Sequence, residues 1–204
     1  MSETSRATHF GAREAIVAFL VTLAGAGSAS ADVAVGIRGH VGDVVRHDRY
    51  SFQRSAGLEA GTFVQQSIGP FWIGFGYSHE WALKNGDENG GRPGPLGVHK
   101  FGVPLRLQLR HPVALEVEPG FARVHSRSAD PWEAKPSGRG GYVAARGLIT
   151  FNDLSSNVLV RMLFSFSDVR GSDAEIDGRP ISDFGWRIFS AGLELERRFG
   201  SAPH

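Results

Sequence analysis

Histidine, serine and acidic side chains of this chain lie close enough in sequence to suggest hydrolytic chemistry. His125 is followed by Ser126 and Ser128, and His79 is followed by Glu80. A serine nucleophile needs a base within hydrogen-bond reach, and that base is usually a histidine oriented by an acid. A histidine and a serine two residues apart share one face of a strand, whereas His125 is one and three residues from these serines. The spacing therefore argues against an enzyme.

A second set of chemistry-bearing residues consists of charges that alternate with apolar residues. An arginine near the middle of a bilayer costs about 2–4 kcal/mol, so this charged phase cannot face lipid. The chain contains eight segments with this alternation, which are described below. A barrel of eight strands leaves a lumen just wide enough to be filled by side chains. Nearly balanced charges in such a lumen predict a network of ion pairs. The predicted network comprises Arg38, Glu59, Glu80, Arg106, Arg110, Glu116, Glu118, Arg146, Arg161, Glu194 and Glu196.

The network has two interpretations, a plug that fills and rigidifies the barrel or a gated conduit, and we favour the plug. A turn at His111-Pro112 sets Arg106 opposite Glu116 or Glu118, depending on the register. His40 also faces inward. Further histidines fall toward one rim of the barrel, namely His47, His79, His99 and His125. No strand carries an i, i+2 pair of them, so we predict neither a metal site nor a cofactor.

These side chains require strands to position them, and the chain supplies eight segments of period two. The clearest is 101–110, where Phe101, Val103 and Leu105 alternate with Gly102, Pro104 and Arg106. Long and short connections alternate, with long, turn-rich ones at 84–97, 127–141 and 168–183. This rhythm predicts an all-β, closed, up-and-down antiparallel transmembrane β-barrel. Apolar residues change parity near Ile188-Phe189, which predicts a β-bulge there.

The ends of the chain bound this domain. Residues 1–31 combine Arg6 and Arg13 with a short apolar run and the small-x-small site Ala29-Ser30-Ala31, which is typical of a secretory signal peptide. The barrel then occupies 32–200, followed by a short tail, 201–204. The chain has no cysteine and a net charge of +1. Disulfides therefore contribute nothing to stability, and no basic block suggests a nucleic acid partner.

The last predicted strand resembles the closing strand of bacterial outer-membrane barrels. Residues 191–199 read Ala-Gly-Leu-Glu-Leu-Glu-Arg-Arg-Phe, with Leu193, Leu195 and Phe199 on the apolar face. With the topology and the signal peptide, this makes the whole mature chain similar to the small OmpA/OmpX-type barrels of Gram-negative bacteria. The resemblance implies insertion by the outer-membrane assembly machinery, contact with outer-membrane lipid, and a role in envelope integrity or surface adhesion.

The even number of strands predicts that both termini are periplasmic and that the long loops are extracellular, where 84–97, 127–141 and 168–183 could bind a surface partner. Two alternatives remain open from the sequence. One is a lipid-modifying enzyme, similar to lipid A deacylases or acyltransferases, that uses the histidines and serines above. The other is a soluble lipocalin-like barrel with its apolar phase inward around a ligand. The facing of the two phases discriminates between a membrane barrel and the soluble one.

Overall fold

A computed structural model describes residues 32–47, 52–82, 96–126, 136–155, 157–171, 174–176, 179–181 and 185–200. The strands are β1 Val33–His47, β2 Phe52–Ile68, β3 Phe71–Ala82, β4 Leu96–Gly102, β5 Leu105–Arg110, β6 Val113–Ser126, β7 Pro136–Ser155, β8 Val158–Gly171, β9 Ala174–Ile176, β10 Arg179–Ile181 and β11 Gly185–Phe199. No helix among the described residues is long and apolar enough to cross a membrane. The predicted signal peptide and tail lie outside these residues.

The strands close into an antiparallel barrel whose wall has eight strand positions, which we call staves. β4 and β5 form one stave, interrupted at Val103-Pro104, because both pair with β3 on one side and β6 on the other. The last strand, β11, pairs with the first, β1, from Val33 opposite Phe199 to His47 opposite Gly185. This pairing removes the two edges that an open sheet would expose. The predicted eight-stranded, up-and-down architecture is confirmed.

Alternation along each strand separates an apolar outer face from a polar inner one. Leu105, Leu115 and Phe164 are exposed on the outside, whereas Arg106, Glu116 and Arg161 on the other parity are buried. The charged phase therefore faces the lumen. A lipocalin-like barrel needs the opposite arrangement, so that alternative is wrong.

The structure differs from the predicted strands in two respects. The sheet extends into the predicted long loops, because β7 begins at Pro136 and β8 continues to Gly171, and a short hairpin of β9 and β10 follows. The predicted bulge near Ile188-Phe189 is wrong, since β11 keeps an unbroken register with both β1 and β8. Trp186 and Ile188 remain on the inner face, because the lumen is apolar at this level.

Candidate functional site

The lumen holds the largest concentration of charged side chains, arranged in levels along the barrel axis. The level nearest the short turns is built on β5, β8 and β11. Arg106 donates from Nη2 to Glu194 Oε1 at 2.9 Å and Oε2 at 3.0 Å, and from Nη1 to Glu196. Arg161 lies 3.0 Å from Glu194 Oε1 and also contacts Glu196, while its Nε donates to Thr150 Oγ1 at 3.2 Å. Both carboxylates are thus shared between these two guanidinium groups, and each has a third arginine nearby, Arg38 at 3.6 Å from Glu194 and Arg198 at 2.7 Å from Glu196.

The middle level contains the two glutamates of β6. Arg38 on β1 and Arg146 on β7 both donate to Glu116 Oε1 at 2.8 Å, and Arg146 lies 2.6 Å from Glu118 Oε2. Gln65 Nε2 donates to Glu116 Oε2 at 3.1 Å, and the Tyr142 hydroxyl donates to Glu118. Buried arginine–carboxylate pairs are favourable only where hydrogen bonds satisfy the charged groups. These contacts satisfy both glutamates, whereas Arg38 Nε and Nη2 and Arg146 Nε have no hydrogen-bond partner among the described residues.

The third level lies toward the long-loop end and depends on a lysine. Lys100 Nζ lies 2.9 Å from Glu59 Oε2 and 2.8 Å from Glu80 Oε2. Trp186 Nε1 donates to Glu80 Oε1 at 2.6 Å. His40, which the sequence placed in the lumen, contacts Ser190 Oγ through Nδ1 at 2.7 Å. These bonds connect β2, β3 and β4 with β11 on the facing wall.

Above the charges, the lumen is closed by an apolar layer. Its side chains come from seven strands and pack in one buried cluster. They include Val44, Val98, Val124, Val169, Trp186 and Ile188. The described lumen is thus occupied by apolar side chains at this level and by ion pairs below it.

Ten of the eleven predicted lumen residues are brought together by the structure, and Arg110 is the exception. The register of β5 and β6 shifts between Gln108 and Arg110, so Arg110 pairs with Val113, and both are exposed. Arg110 therefore lies outside the lumen, and its assignment to the network is corrected. The prediction that Arg106 faces a glutamate is confirmed, because Arg106 pairs with Glu116 in the sheet.

The sequence reasoning missed Lys100. Its parity matches that of Gly102, Pro104 and Arg106, but the predicted strand began one residue too late to include it. With Lys100 in the lumen and Arg110 outside, five cations face six carboxylates. Lys100 thus replaces Arg110 in the count of lumen cations, and the near balance of positive and negative charge is unchanged.

The predicted catalytic residues do not form a described site. His79 and Glu80 are neighbours on β3 and point to opposite sides of the wall, because Glu80 bonds Lys100 and Trp186 inside the lumen. His125 is on the outer face, and Ser128 and the side chain of Ser126 lie outside the described residues. No three acidic or histidine side chains in the described strands converge to hold a metal ion.

Outside the barrel, histidines from three staves meet near the long-loop end. His79 Nδ1 lies 3.0 Å from His99 Nδ1, and the His99 ring stacks on His125 with centroids 4.9 Å apart. Gly97 makes room for them, since a Cβ there would lie 2.5 Å from the His125 ring. Tyr77 donates to or accepts from His99 Nδ1 at 2.8 Å.

The residues predicted as an assembly signal are on the outer face of the closing strand. Leu193, Leu195 and Phe199 are all exposed, and Phe199 ends β11 opposite Val33. The Arg197 guanidinium lies 4.9 Å from the centre of the Phe199 ring. Phe199 therefore lies on the outer surface where β11 pairs with β1, at the end of the barrel that carries the short turns.

Comparisons with solved structures agree with this geometry. Neisserial surface protein A aligns with a TM-score of 0.52 and 10% identity, covering 79% of this chain and 97% of that one. The outer-membrane protein AlkL, solved in lipid bilayers, aligns with a TM-score of 0.51 and 13% identity over 88% and 95% of the two chains. The chain has the fold of the small eight-stranded outer-membrane β-barrels.

At these identities the similarity to other outer-membrane barrels concerns the fold alone. No protein-family model matches the barrel's sequence, and no curated protein matches it either.

Proposed function

We propose that the protein is an outer-membrane barrel with a structural or surface-interaction role and a lumen closed to solutes. The observation that carries the proposal is the pairing of charges across the bore. Arg106 is 1% exposed and binds Glu194, which is fully buried on the opposite wall. A channel for solutes needs an open bore, whereas these side chains occupy it.

The outer surface supports placement in a membrane. Exposed leucine, valine, isoleucine and phenylalanine side chains surround the described strands, and lipid is the environment that such a face requires. Lipid cannot satisfy free backbone N–H and C=O groups, so the pairing of β1 with β11 is also what a membrane demands. In this proposal the short turns and both termini are periplasmic, and the long loops reach the cell surface.

The surface-interaction part of the role belongs to the long loops. The predicted partner-binding ranges 84–97, 127–141 and 168–183 meet the described structure only at the ends of β4, β7 and β8 and in the β9–β10 hairpin. The barrel strands hold the ends of such loops around one rim, which suits recognition of a partner. The lipid-modifying alternative has less support, because Glu80 cannot orient His79 through the barrel wall.

Planar-bilayer recordings test the closed lumen. The purified barrel is expected to give no stable single-channel steps. The triple variant Arg38→Ala/Arg106→Ala/Trp186→Ala removes two side chains of the ion-pair network and the largest side chain of the apolar layer, and it is expected to conduct, while Arg110→Ala is the matched control outside the lumen. Large, stable steps from the unaltered chain would contradict the plug.

A further inference from the structure

A row of basic and imidazole side chains crosses the outside of the barrel at the long-loop end. His79 pairs with His99, His99 with Arg123, and Arg123 with Arg139, so the row spans β3, β4, β6 and β7 at one level. Arg123 and Arg139 are both exposed. Like charges directly opposite one another destabilise a sheet, and this pair has no ion pair to a described acid. An anion between the two guanidinium groups would offset their repulsion.

On β4 and β6 the row adjoins the apolar outer surface. Immediately below it on the same face are Phe101 and Phe121, of which Phe121 is 47% exposed, and Val143 lies one step further along β7. Tyr77 packs on Phe101 with ring centroids 5.0 Å apart, beside the row. Aromatic residues form girdles at the membrane interface, so in the proposed placement these rings put the basic row beside the lipid headgroups.

A surface pocket of about 350 Å³ adjoins the two arginines. It is lined by Arg123, Val124, His125, Ser137, Gly138, Arg139 and Glu175. The guanidinium groups offer paired donors suited to phosphate oxygens, and the Ser137 hydroxyl adds a further donor. Glu175, on the β9 strand, supplies an acceptor for a hydroxyl or amine next to the phosphate.

We propose that the basic row and this pocket bind a phosphate group on the headgroup of a glycolipid in the adjacent leaflet. The apolar surface below the row would then contact the acyl chains of the same molecule. This inference rests on the proposed placement in the outer membrane, where lipid A carries sugar-linked phosphates. A soluble phosphate presents the same group without the acyl chains, and the test must separate the two sources.

The test uses the purified mature barrel in nonionic detergent, with binding measured by calorimetry and by native mass spectrometry. The ligands are diphosphoryl lipid A, the same lipid after enzymatic removal of its phosphates, and inorganic phosphate. We expect the diphosphoryl lipid to bind about tenfold more tightly than the dephosphorylated one, since charge-assisted bonds to phosphate contribute this order of affinity. Inorganic phosphate is expected to bind far more weakly than either.

Two variants make the test specific. Arg123→Gln/Arg139→Gln should abolish the preference for the phosphorylated lipid. Arg187→Gln is the matched control, because Arg187 also faces outward at the long-loop end but pairs with Asp168 at 3.3 Å, and it should keep the preference. Equal binding of the two lipids, an unchanged preference in the double variant, or inorganic phosphate binding as tightly as the lipid would each overturn the proposal.

Insertion into lipid vesicles is measured on the same samples. A barrel that inserts but does not discriminate phosphate overturns this inference and leaves the proposed function standing. A chain that fails to insert overturns both.

Discussion

At the scale of single residues, Arg106 and Arg110 of β5 lie in opposite environments although they are only four positions apart. Arg106 binds three glutamates inside the lumen, and Arg110 is exposed at the turn. Removing one partner of a buried ion pair leaves an uncompensated charge, whereas removing an exposed charge changes little. The residues thus offer the same substitution in two environments within one strand.

Arg106→Gln is expected to lower the free energy of unfolding by about 3–5 kcal/mol, because Glu194 and Glu196 lose a cation. Arg110→Gln is expected to change it by less than about 0.5 kcal/mol. Denaturant unfolding of the barrel in detergent, followed by tryptophan fluorescence, measures both. Similar losses from the two variants would mean that the lumen network does not stabilise the barrel.

At the scale of the strands, the alternation of side chains decides which substitutions lipid tolerates. Leu105 is 45% exposed on the outer face, and Gln108 is on the other parity, donating to the Val113 carbonyl at 2.9 Å. Leu105→Arg should cost about 2–4 kcal/mol if it lies near mid-membrane, and Gln108→Arg much less. The yield of folded barrel in outer-membrane fractions compares them. Equal damage would show that lipid does not surround the apolar face.

The closing strand leads to a separate prediction. Phe199 is 47% exposed and ends the outer face of β11 opposite Val33. Phe199→Ala should therefore reduce insertion more than deletion of 201–204, whose sequence has no alternation and includes a proline. The two chains are expressed side by side and folded barrel is quantified. Normal assembly of Phe199→Ala beside failure of the shortened chain would contradict this role.

Strand parity was sufficient to predict the eight staves and ten lumen residues, because one face must be apolar and the other polar along each strand. Strand parity gave wrong predictions where the inner face is locally apolar or where the strand register shifts. Trp186 and Ile188 face inward where the lumen becomes apolar, so the parity of hydrophobic residues reversed without a bulge. Arg110 follows a register shift at the turn, and strand parity cannot be continued through such a shift.

The contacts between distant strands could not be predicted from spacing. The row of His79, His99, Arg123 and Arg139 depends on the registers of three strand pairs. The β3–β4 and β6–β7 registers lie across long connections, and the β4–β6 register lies across the irregular turn at His111-Pro112. Packing in the lumen constrains all three, and none of this appears in the local pattern. The sequence therefore predicted only that the histidines lie near a rim, and the adjacency of the four residues is known from the structure.

At the scale of the whole molecule, closure makes the barrel a single cooperative unit. Every stave is paired on both sides, so no strand can leave without exposing backbone groups on two neighbours. The folded chain is expected to migrate faster than the heated chain on a detergent gel run without boiling. A chain truncated before Gly185 lacks the closing strand and should show one band only. A single band from the full chain would contradict stable closure.

The ion pairs across the bore also limit the circumference of the barrel. Arg106 and Glu194 lie four staves apart, as do Arg38 and Glu116, and four staves is half of this wall. The diameter of a barrel grows with its strand number, while the reach of an arginine and a glutamate does not. A duplicated hairpin would separate these charges and leave them buried without partners. The lumen thus selects one strand number, and a larger relative of this chain would have to abandon these pairs before it could widen.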